Sequence, residues 1–448
     1  MTRWFGAGTL ALCALVGLGC GSGTVGGAVT GTGGSNATGS GGSQVSGGSG
    51  GSGNGGATGT GSGGSVAPTD DGGITDTGVA ETARPPAGDG GYTSSAGDPG
   101  TDGDGMRTIN PPYKTAPEFK RGAGVPAGKN FSFTMGPGTI FPKFTDKTSR
   151  KIAVYVPSQY KKGTPAAVMV FQDGTDFYSF DSLIPPVLDN LISKGSIPPL
   201  VAVFVGNGGG DAVGSERGLE YDTVSGLYAQ FIDTEVLPKV EMETAMQMPD
   251  QAVTFTHDPE GRGTMGGSSG GAASFSMAWW HPDLFRRVIT FSGTYVDQVP
   301  SSSPFPHGCW SYHDYDPYVA AGPNGQIVAH CESATDFAKG SSNPGTCDKP
   351  LTEVTCTAAA GCQWNTVNNK PIRIWHESGS QDLQAGDGPS SHRDFDLANQ
   401  RMAASFQKRG YHYHYDHAIG AGHVDFGVWQ QTLPEGLTWL WRDYKPSM

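Results

Sequence analysis

A glycine-rich stretch near the middle of the chain places two adjacent serines where one of them could act as a nucleophile. Residues 264–275 read TMGGSSGGAASF, and both Ser268 and Ser269 satisfy the pentapeptide G-x-S-x-G. A nucleophile elbow needs a strand before the serine, a helix after it, and small residues two positions away on each side. Ser49 also satisfies the pentapeptide, but it lies in a Gly/Ser-rich tract without strand or helix patterns. The context therefore selects residues 264–275 and leaves both of their serines open.

An activated serine needs a histidine base and an acid that orients the histidine. In α/β sheets that carry such an elbow, these partners follow the serine in the order acid, then histidine. Asp382 follows the apolar run PIRIWH, and His423 lies in the glycine-flanked segment AIGAGHVDF, so we predict these two as acid and base. Other residues of the right type remain as alternatives: Glu377, Asp387 and Asp394 for the acid, and His376, His392 and His417 for the base.

Strand and helix patterns alternate around these residues from about position 129 onward. The continuous apolar runs AAVMVF (166–171) and LVAVFV (200–205) are typical of parallel strands buried on both faces. Further strands are predicted at 131–135, 151–157, 252–256, 286–291, 371–376 and 411–417, and amphipathic helices at 228–240 and 394–410. The strand before the elbow is predicted to be AVTFT at 252–256, with the loop HDPEGRG between it and the serines. This alternation predicts an α/β fold with a doubly wound, mostly parallel sheet.

The N-terminal part of the chain has the composition of an exported protein with a long tether. Arg3 precedes an apolar run of signal-peptide length, so residues 1–20 are predicted to be a signal peptide. The run ends in Leu-Gly-Cys, which resembles the lipobox of bacterial lipoproteins, and Cys20 is therefore predicted to carry a lipid. A plain secretory signal, giving a secreted or periplasmic protein, is the alternative. Residues 21–110 are rich in Gly, Ser and Thr and are predicted to be a disordered linker, followed by a folded domain at 111–446.

Charge and cysteine content limit the possible partners. The formal net charge of −13 argues against binding to nucleic acid or to anionic lipid, so the expected membrane contact is the lipid anchor alone. An insert at about 298–369 holds five cysteines, for which an exported protein predicts disulfides with one thiol left over. They are Cys309, Cys331, Cys347, Cys356 and Cys362. A zinc site there, or a metal on His412, His414 and His417, is the rival interpretation; we predict no metal and no cofactor.

Six motifs in the folded part occur in a characteristic order. They are VMVFQDG (168–174), SERGLEYDTVSGLYAQFIDTEVLPKV (215–240), GGSSGGAASFSMAWWHPDLFRRVITFSGTYV (266–296), PIRIWHESGSQDL (371–383), LANQRMAASFQKRGYHY (397–413) and GHVDFGVWQQTLPEGLTWLW (422–441). Together they resemble the enterochelin-esterase-like, or esterase D-like, branch of the α/β-hydrolases, in a subgroup of exported bacterial lipoproteins. The resemblance covers about residues 127–444 and implies an α/β-hydrolase fold with a cysteine-rich insert.

The resemblance also implies roles for individual residues. The family elbow G-x-S-x-G-G aligns with Gly266 to Gly271 and selects Ser268 as nucleophile, with Asp382 and His423 as its partners. The oxyanion donors would be the backbone N–H of Ser269 and an N–H near Gly174 or Thr175. The segment PHGCWSYHDYD (306–316) resembles a family segment in which Trp310 and His313 would line the substrate pocket.

The expected activity is hydrolysis of a carboxylic ester through an acyl-enzyme. The substrate would be a small-molecule or polysaccharide-linked ester outside the cytoplasm, such as a siderophore-type ester. Two alternatives stay open: an acyltransferase of the same fold, in which an alcohol replaces water, and a non-catalytic binding module held on a tether.

Overall fold

The structure is a computed structural model that describes residues 100–211, 214–223, 225–296, 370–388 and 393–445, and the backbone of two short strands at 330–333 and 362–365. Several predicted features lie outside the described residues: the signal peptide with Cys20, most of the linker, the pocket residues Trp310 and His313, and the side chains of the five clustered cysteines. Within the described ranges, no helix combines the length and the apolar composition needed to cross a bilayer.

One ten-stranded sheet organises the described chain. Its strands are β1 (Gly105–Ile109), β2 (Lys129–Met135), β3 (Arg150–Val156), β4 (Pro165–Gln172), β5 (Leu200–Val205), β6 (Thr254–Phe255), β7 (Arg262–Gly267), β8 (Arg287–Phe291), β11 (Arg373–Gly379) and β12 (His412–Ala418). The order across the sheet is β1-β12-β11-β8-β7-β4-β5-β3-β2, with β6 paired to β4. The strand β3 runs antiparallel to both of its neighbours, and the other pairs are parallel. Two further strands, β9 (His330–Ser333) and β10 (Cys362–Asn365), form a separate antiparallel pair.

Helices cover both faces of the sheet. They are α1 (Phe180–Leu183), α2 (Pro185–Lys194), α3 (Glu216–Tyr221), α4 (Leu227–Phe231), α5 (Leu237–Gln247), α6 (Ser269–Trp280), α7 (Phe395–Arg409) and α8 (Phe426–Trp441), with a π-helical turn at Ile232–Val236. One apolar core packs α4, α5, α6 and α7 against the sheet, and a second packs α1, α2 and α8 against the opposite face. The prediction of a doubly wound, mostly parallel sheet is confirmed, with the architecture of an α/β-hydrolase.

The strand that leads into the elbow differs from the sequence prediction. Only Thr254 and Phe255 of the predicted strand 252–256 are extended, as β6, and the elbow is entered from β7 at 262–267. The sequence of β7 is RGTMGG, and all six residues are buried between β4 and β8. Its glycines give it little intrinsic strand preference, so its position in the centre of the sheet determines its conformation.

The sheet also begins earlier than predicted. Strand β1 lies within the segment predicted to be linker, yet it pairs in parallel with β12 along five residues. Arg107 of β1 bonds to the buried Asp416 through its Nε at 2.7 Å, and His412 Nδ1 lies 2.9 Å from Asp104 Oδ2. Contacts more than 300 residues apart in the chain therefore hold this strand at the sheet edge.

Candidate active site

Ser268 stands at a sharp turn between β7 and α6. Its φ and ψ of 57° and −129° are unusual for a residue with a side chain, and such backbone strain is typical of a nucleophile elbow. The turn leaves no room at Gly266, where a Cβ would lie 2.3 Å from the carbonyl carbon of Gly270. Gly266 and Gly270, which lie two positions before and two positions after Ser268, are therefore in direct contact.

The three predicted side chains meet at the carboxyl edge of the sheet. His423 Nε2 lies 2.8 Å from Ser268 Oγ, and His423 Nδ1 lies 2.6 Å from Asp382 Oδ1. The same carboxylate oxygen accepts a hydrogen bond from the Leu383 amide at 2.7 Å. The Phe395 ring packs nearly perpendicular to the His423 imidazole, with centroids 5.0 Å apart. The acid, the histidine and the serine thus form one hydrogen-bonded chain.

The neighbouring Ser269 occupies a different environment. It is the first residue of α6, and only 1% of its surface is exposed. Its hydroxyl interacts with the buried carboxyl of Asp222; burial raises the pKa of Asp222 to about 7, and contacts with Arg217 and Ser269 oppose that shift. The Ser269 hydroxyl is therefore directed into the protein, whereas the Ser268 hydroxyl reaches His423.

The alternative acids have other roles or surroundings. Asp394 caps α7, where its Oδ1 accepts from the Leu397 amide at 2.9 Å, and Asp387 is exposed in a loop. Glu377 is fully buried in β11, and burial together with the nearby Asp382 raises its pKa well above its usual range. Neither carboxylate oxygen of Glu377 has a hydrogen-bond partner among the described residues, so Asp382 is the acid that contacts His423.

The alternative bases that the structure describes likewise contact groups other than the serine. His376 is buried against the rings of Phe406 and Tyr415, and burial lowers its pKa to about 3. His417 Nε2 lies 3.0 Å from Asp396 Oδ1 on the neighbouring α7. His392 lies outside the described residues. Of the described candidates, His423 alone has a hydrogen bond to Ser268.

The loop after β4 corrects one of the predicted oxyanion donors. The Gly174 amide donates to the Val205 carbonyl at 3.0 Å, so it is already engaged in the sheet and does not suit the predicted role. The amides of Asp173 and Asp176 are also engaged, by Tyr221 Oη at 3.1 Å and by the Asp173 carbonyl at 3.1 Å. The Thr175 amide has no acceptor in the described chain. Thr175 and Ser269 therefore remain the predicted donors.

A family model described as "Putative esterase" matches residues 145–440, which is more than half of the 448-residue chain. The chain belongs to this esterase family. The match confirms the esterase resemblance of the sequence motifs. A search of curated protein sequences finds no match.

Two solved structures illustrate what the esterase is similar to. The enterochelin esterase from Shigella flexneri is 17% identical, with 74% of this chain and 62% of that chain covered and a TM-score of 0.44. A feruloyl esterase module from Clostridium thermocellum, a mutant in complex with sinapinate, is 14% identical, with coverage of 76% and 97% and a TM-score of 0.42. The esterase thus spans less than two thirds of the enterochelin esterase chain, and identities this low do not transfer a substrate.

Two polar features beside the elbow of the esterase are not evident from the sequence. The hydroxyl of Thr294 lies 3.3 Å from Ser268 Oγ, and its amide donates to the Ser268 carbonyl at 3.1 Å. An ion pair between Asp173 and Arg217 is buried next to the first turn of α6. The residues of both features lie within the sequence motifs, but the contacts between them depend on the fold, which brings together segments that are distant in the chain.

The histidines of β12 hold the edge strand in place. His414 Nδ1 lies 2.6 Å from the Gly103 carbonyl and its Nε2 lies 3.1 Å from Asp416 Oδ1, while its ring stacks on Trp375. His412 contacts Asp104, as described above. Among the described residues, no group of three His, Cys, Asp or Glu side chains is arranged to hold a metal ion.

Proposed function

We propose that the esterase cleaves carboxylic esters through an acyl-enzyme on Ser268, with His423 as general base and Asp382 as the residue that orients it. The observation that carries this proposal is the hydrogen-bond chain from Asp382 Oδ1 through His423 to Ser268 Oγ, with links of 2.6 and 2.8 Å. Both links are within hydrogen-bond distance, and the serine stands at the strained turn of an elbow.

The proposed reaction has two halves. His423 Nε2 takes the proton from Ser268 Oγ as that oxygen attacks the ester carbonyl, and the charged imidazole keeps its Nδ1–H on Asp382 Oδ1. The amides of Ser269 and Thr175 would donate to the oxyanion, and the N-terminus of α6 adds its positive dipole end. The intermediate then expels the alcohol, which takes the proton from His423. Water attacks the acyl-enzyme by the same steps in the second half.

The surface beside these residues supports an ester with an apolar or aromatic group. Leu383 directly follows Asp382 and is 44% exposed, and Phe177 is 51% exposed. The ring of Phe177 neighbours that of Tyr178, which packs against the elbow at Gly267. Exposed apolar side chains beside a polar site favour binding of an apolar ligand. A siderophore-type ester or a polysaccharide-linked acyl ester, as expected from the sequence resemblance, is consistent with this surface.

We further propose that the esterase acts outside the cytoplasm as a lipoprotein anchored at Cys20. This proposal rests on the N-terminal sequence alone. Mass spectrometry of the mature N-terminus from a bacterial host should find an acylated cysteine in the wild type and none in Cys20→Ala. An unmodified Cys20 in a protein with a cleaved signal would instead indicate a secreted or periplasmic enzyme.

Hydrolysis of a short-chain aryl ester by the full chain tests the proposed chemistry. Ser268→Ala should lower kcat by about 10³-fold or more, whereas Ser269→Ala should stay within about tenfold of wild type, because its hydroxyl faces the core. Mass spectrometry of the trapped acyl-enzyme should locate the acyl group on Ser268. Loss of activity only in Ser269→Ala would shift the nucleophile by one residue. Preferential transfer to an added sugar would indicate an acyltransferase, and absence of any turnover or acyl adduct would favour a binding module.

A further inference from the structure

A buried ion pair between Asp173 and Arg217 has no part in the proton transfers described above. Arg217 Nη2 lies 2.7 Å from Asp173 Oδ2, and Arg217 Nε lies 3.2 and 3.1 Å from the two carboxylate oxygens. The two side chains are 0% and 3% exposed. A buried pair often gives no more stability than apolar residues of the same size, because desolvating two charges is expensive. Stability alone therefore does not account for the pair.

The position of Asp173 connects two parts of the site. It is the first residue after β4 and begins the loop that carries Thr175, and its φ of 53° lies in the left-handed region. A residue with a side chain adopts this conformation only when its surroundings hold it there. Its Oδ2 also lies 3.3 Å from the position that a Cβ on Gly270 would take, against the first turn of α6. Asp173 therefore touches both segments that carry the proposed oxyanion donors.

Helix α3 holds Asp173 through its side chain and its backbone. Arg217 binds the carboxylate, and Tyr221 Oη accepts a hydrogen bond from the Asp173 amide at 3.1 Å. The nearby Asn207 adds a bond from its Nδ2 to Asp173 Oδ1 at 2.8 Å. The helix is itself attached to β3 by the buried ion pair of Glu220 with Arg150. These contacts leave Asp173 little freedom to relax its strained backbone.

We infer that Asp173 and Arg217 are positioning residues for the oxyanion site, through which α3 fixes the direction of the Thr175 amide. The inference rests on the proposed ester hydrolysis. Arg217 also neutralises a carboxylate that would otherwise repel the negative charge of the tetrahedral intermediate. An interaction made only with that intermediate affects kcat and leaves KM nearly unchanged.

Substitution of Arg217 tests this role by its effect on kcat. Arg217→Met should lower kcat by between about 10-fold and 10³-fold, as expected when an oxyanion donor is displaced, with KM within about threefold. Arg217→Lys retains the charge and should recover part of the loss. Arg262→Met is the matched control, because Arg262 is also buried and bonds to Asp233 at 2.8 Å, but at the other end of β7. Active sites are counted with a fluorophosphonate, so that misfolded protein does not lower the apparent kcat; the control should keep its kcat per active site.

Asp173→Asn separates positioning from charge. A positioning role predicts a lower kcat in this variant as well, because the amide group cannot accept all the hydrogen bonds that the carboxylate accepts. If charge alone mattered, Asp173→Asn would leave a positive Arg217 near the oxyanion and kcat would stay the same or rise, which would overturn the inference.

Hydrogen exchange provides a readout that does not depend on turnover. In Arg217→Met, the peptide covering residues 173–178 should exchange at least about tenfold faster than in the wild type, whereas Arg262→Met should leave its exchange unchanged. If the Arg217→Met variant exchanged faster but the wild-type protein hydrolysed no ester, the result would support the role of Arg217 in fixing the loop at 173–178 and would contradict the proposed function. Unchanged exchange and unchanged kcat in Arg217→Met would overturn the inference.

Discussion

Replacement of Asp382 by asparagine isolates the charge of the acid, because the structure dictates how the new amide group would turn. Asp382 Oδ1 accepts hydrogen bonds from the Leu383 amide at 2.7 Å and from His423 Nδ1 at 2.6 Å, whereas its buried Oδ2 has no hydrogen bond in the described chain. The amide oxygen should therefore take the place of Oδ1, with the NH2 group at the place of Oδ2. His423 keeps its acceptor and its tautomer, and the main loss is the negative charge.

The size of this loss can be worked out from the geometry. Two unit charges about 4 Å apart attract by about 4 kcal/mol at an effective dielectric constant of about 20. The amide oxygen retains a neutral hydrogen bond worth about 1 kcal/mol, so the variant loses about 3 kcal/mol of stabilisation of the charged His423. At about 1.4 kcal/mol per tenfold, kcat should fall by about 10²-fold. Asp382→Leu, which also removes the acceptor that orients the ring, should lower kcat by about 10⁴-fold.

Steady-state hydrolysis of an aryl ester, normalised to titrated active sites, measures both variants. Asp396→Asn is the matched control, because it removes a carboxylate oxygen that lies 3.0 Å from His417 Nε2. His417 does not contact Ser268, so this variant should leave kcat unchanged. An Asp382→Asn variant as slow as Asp382→Leu would show that the amide turns its NH2 group toward His423, against the orientation argued from Leu383. A rate within about twofold of wild type would remove Asp382 from the proposed mechanism.

Three further substitutions test the surroundings of the elbow. Burial raises the pKa of Asp222 to about 7, so folding favours its protonated form and its contribution to stability is lost as the pH rises from about 4 through about 7. Asp222→Asn should therefore raise Tm, relative to wild type, more at about pH 8 than at about pH 5, and a difference independent of pH would contradict the shift. Thr294→Val removes a hydroxyl 3.3 Å from Ser268 Oγ and should lower kcat about 3–10-fold, with Thr294→Ser restoring it; a valine variant at full rate would exclude this contact from the reaction. Burial holds the pKa of Glu377 well above its usual range, so the infrared spectrum at neutral pH should contain a protonated carboxyl band that disappears in Glu377→Gln; if the two spectra did not differ in that band, Glu377 would be ionised.

Strands with apolar, β-branched sequences are predicted well from the chain itself. The runs at 166–171 and 200–205 match β4 and β5 to within one residue at each end, because strands buried on both faces need continuous apolar side chains. The residues of the proposed triad are also predictable. Their types, their order and the loops that follow apolar runs limit the choice to a few carboxylates and histidines.

Strands that depend on tertiary contacts are not predictable in the same way. Strand β7 has glycine at three of its six positions, and β1 alternates half-buried and exposed residues beside a Gly-rich tract. Neither segment has a hydrophobic pattern that distinguishes it as a strand from the neighbouring sequence. The first is extended because β4 and β8 lie on both sides of it, and the second because Arg107 and Asp104 find partners on β12.

Burial of the charged residues near the loop after β4 is unpredictable from the sequence for a related reason. The segment SERGLEY (215–221) contains three charged side chains, which would ordinarily lie on an exposed helix face. In the structure Glu216, Arg217 and Glu220 are all buried, and two of them form ion pairs, Arg217 with Asp173 and Glu220 with Arg150. Only the fold supplies those partners, so burial of charge could not be anticipated from the helix sequence.

The choice between the two serines depends on which pair of glycines must touch. Each of the two serines has glycine two positions before and two positions after it, so the pentapeptide alone does not distinguish Ser268 from Ser269. In the structure a Cβ on Gly266 would lie 2.3 Å from both the carbonyl carbon and the carbonyl oxygen of Gly270, which is the pair that flanks Ser268. The corresponding pair around Ser269 is looser, because Gly267 faces Val424 and Tyr178, and a Cβ on Gly271 would lie 3.2 Å from both the Gly266 carbonyl oxygen and the Gly293 Cα. The elbow therefore closes around Ser268, and moving the nucleophile to Ser269 would require β7 to end one residue later.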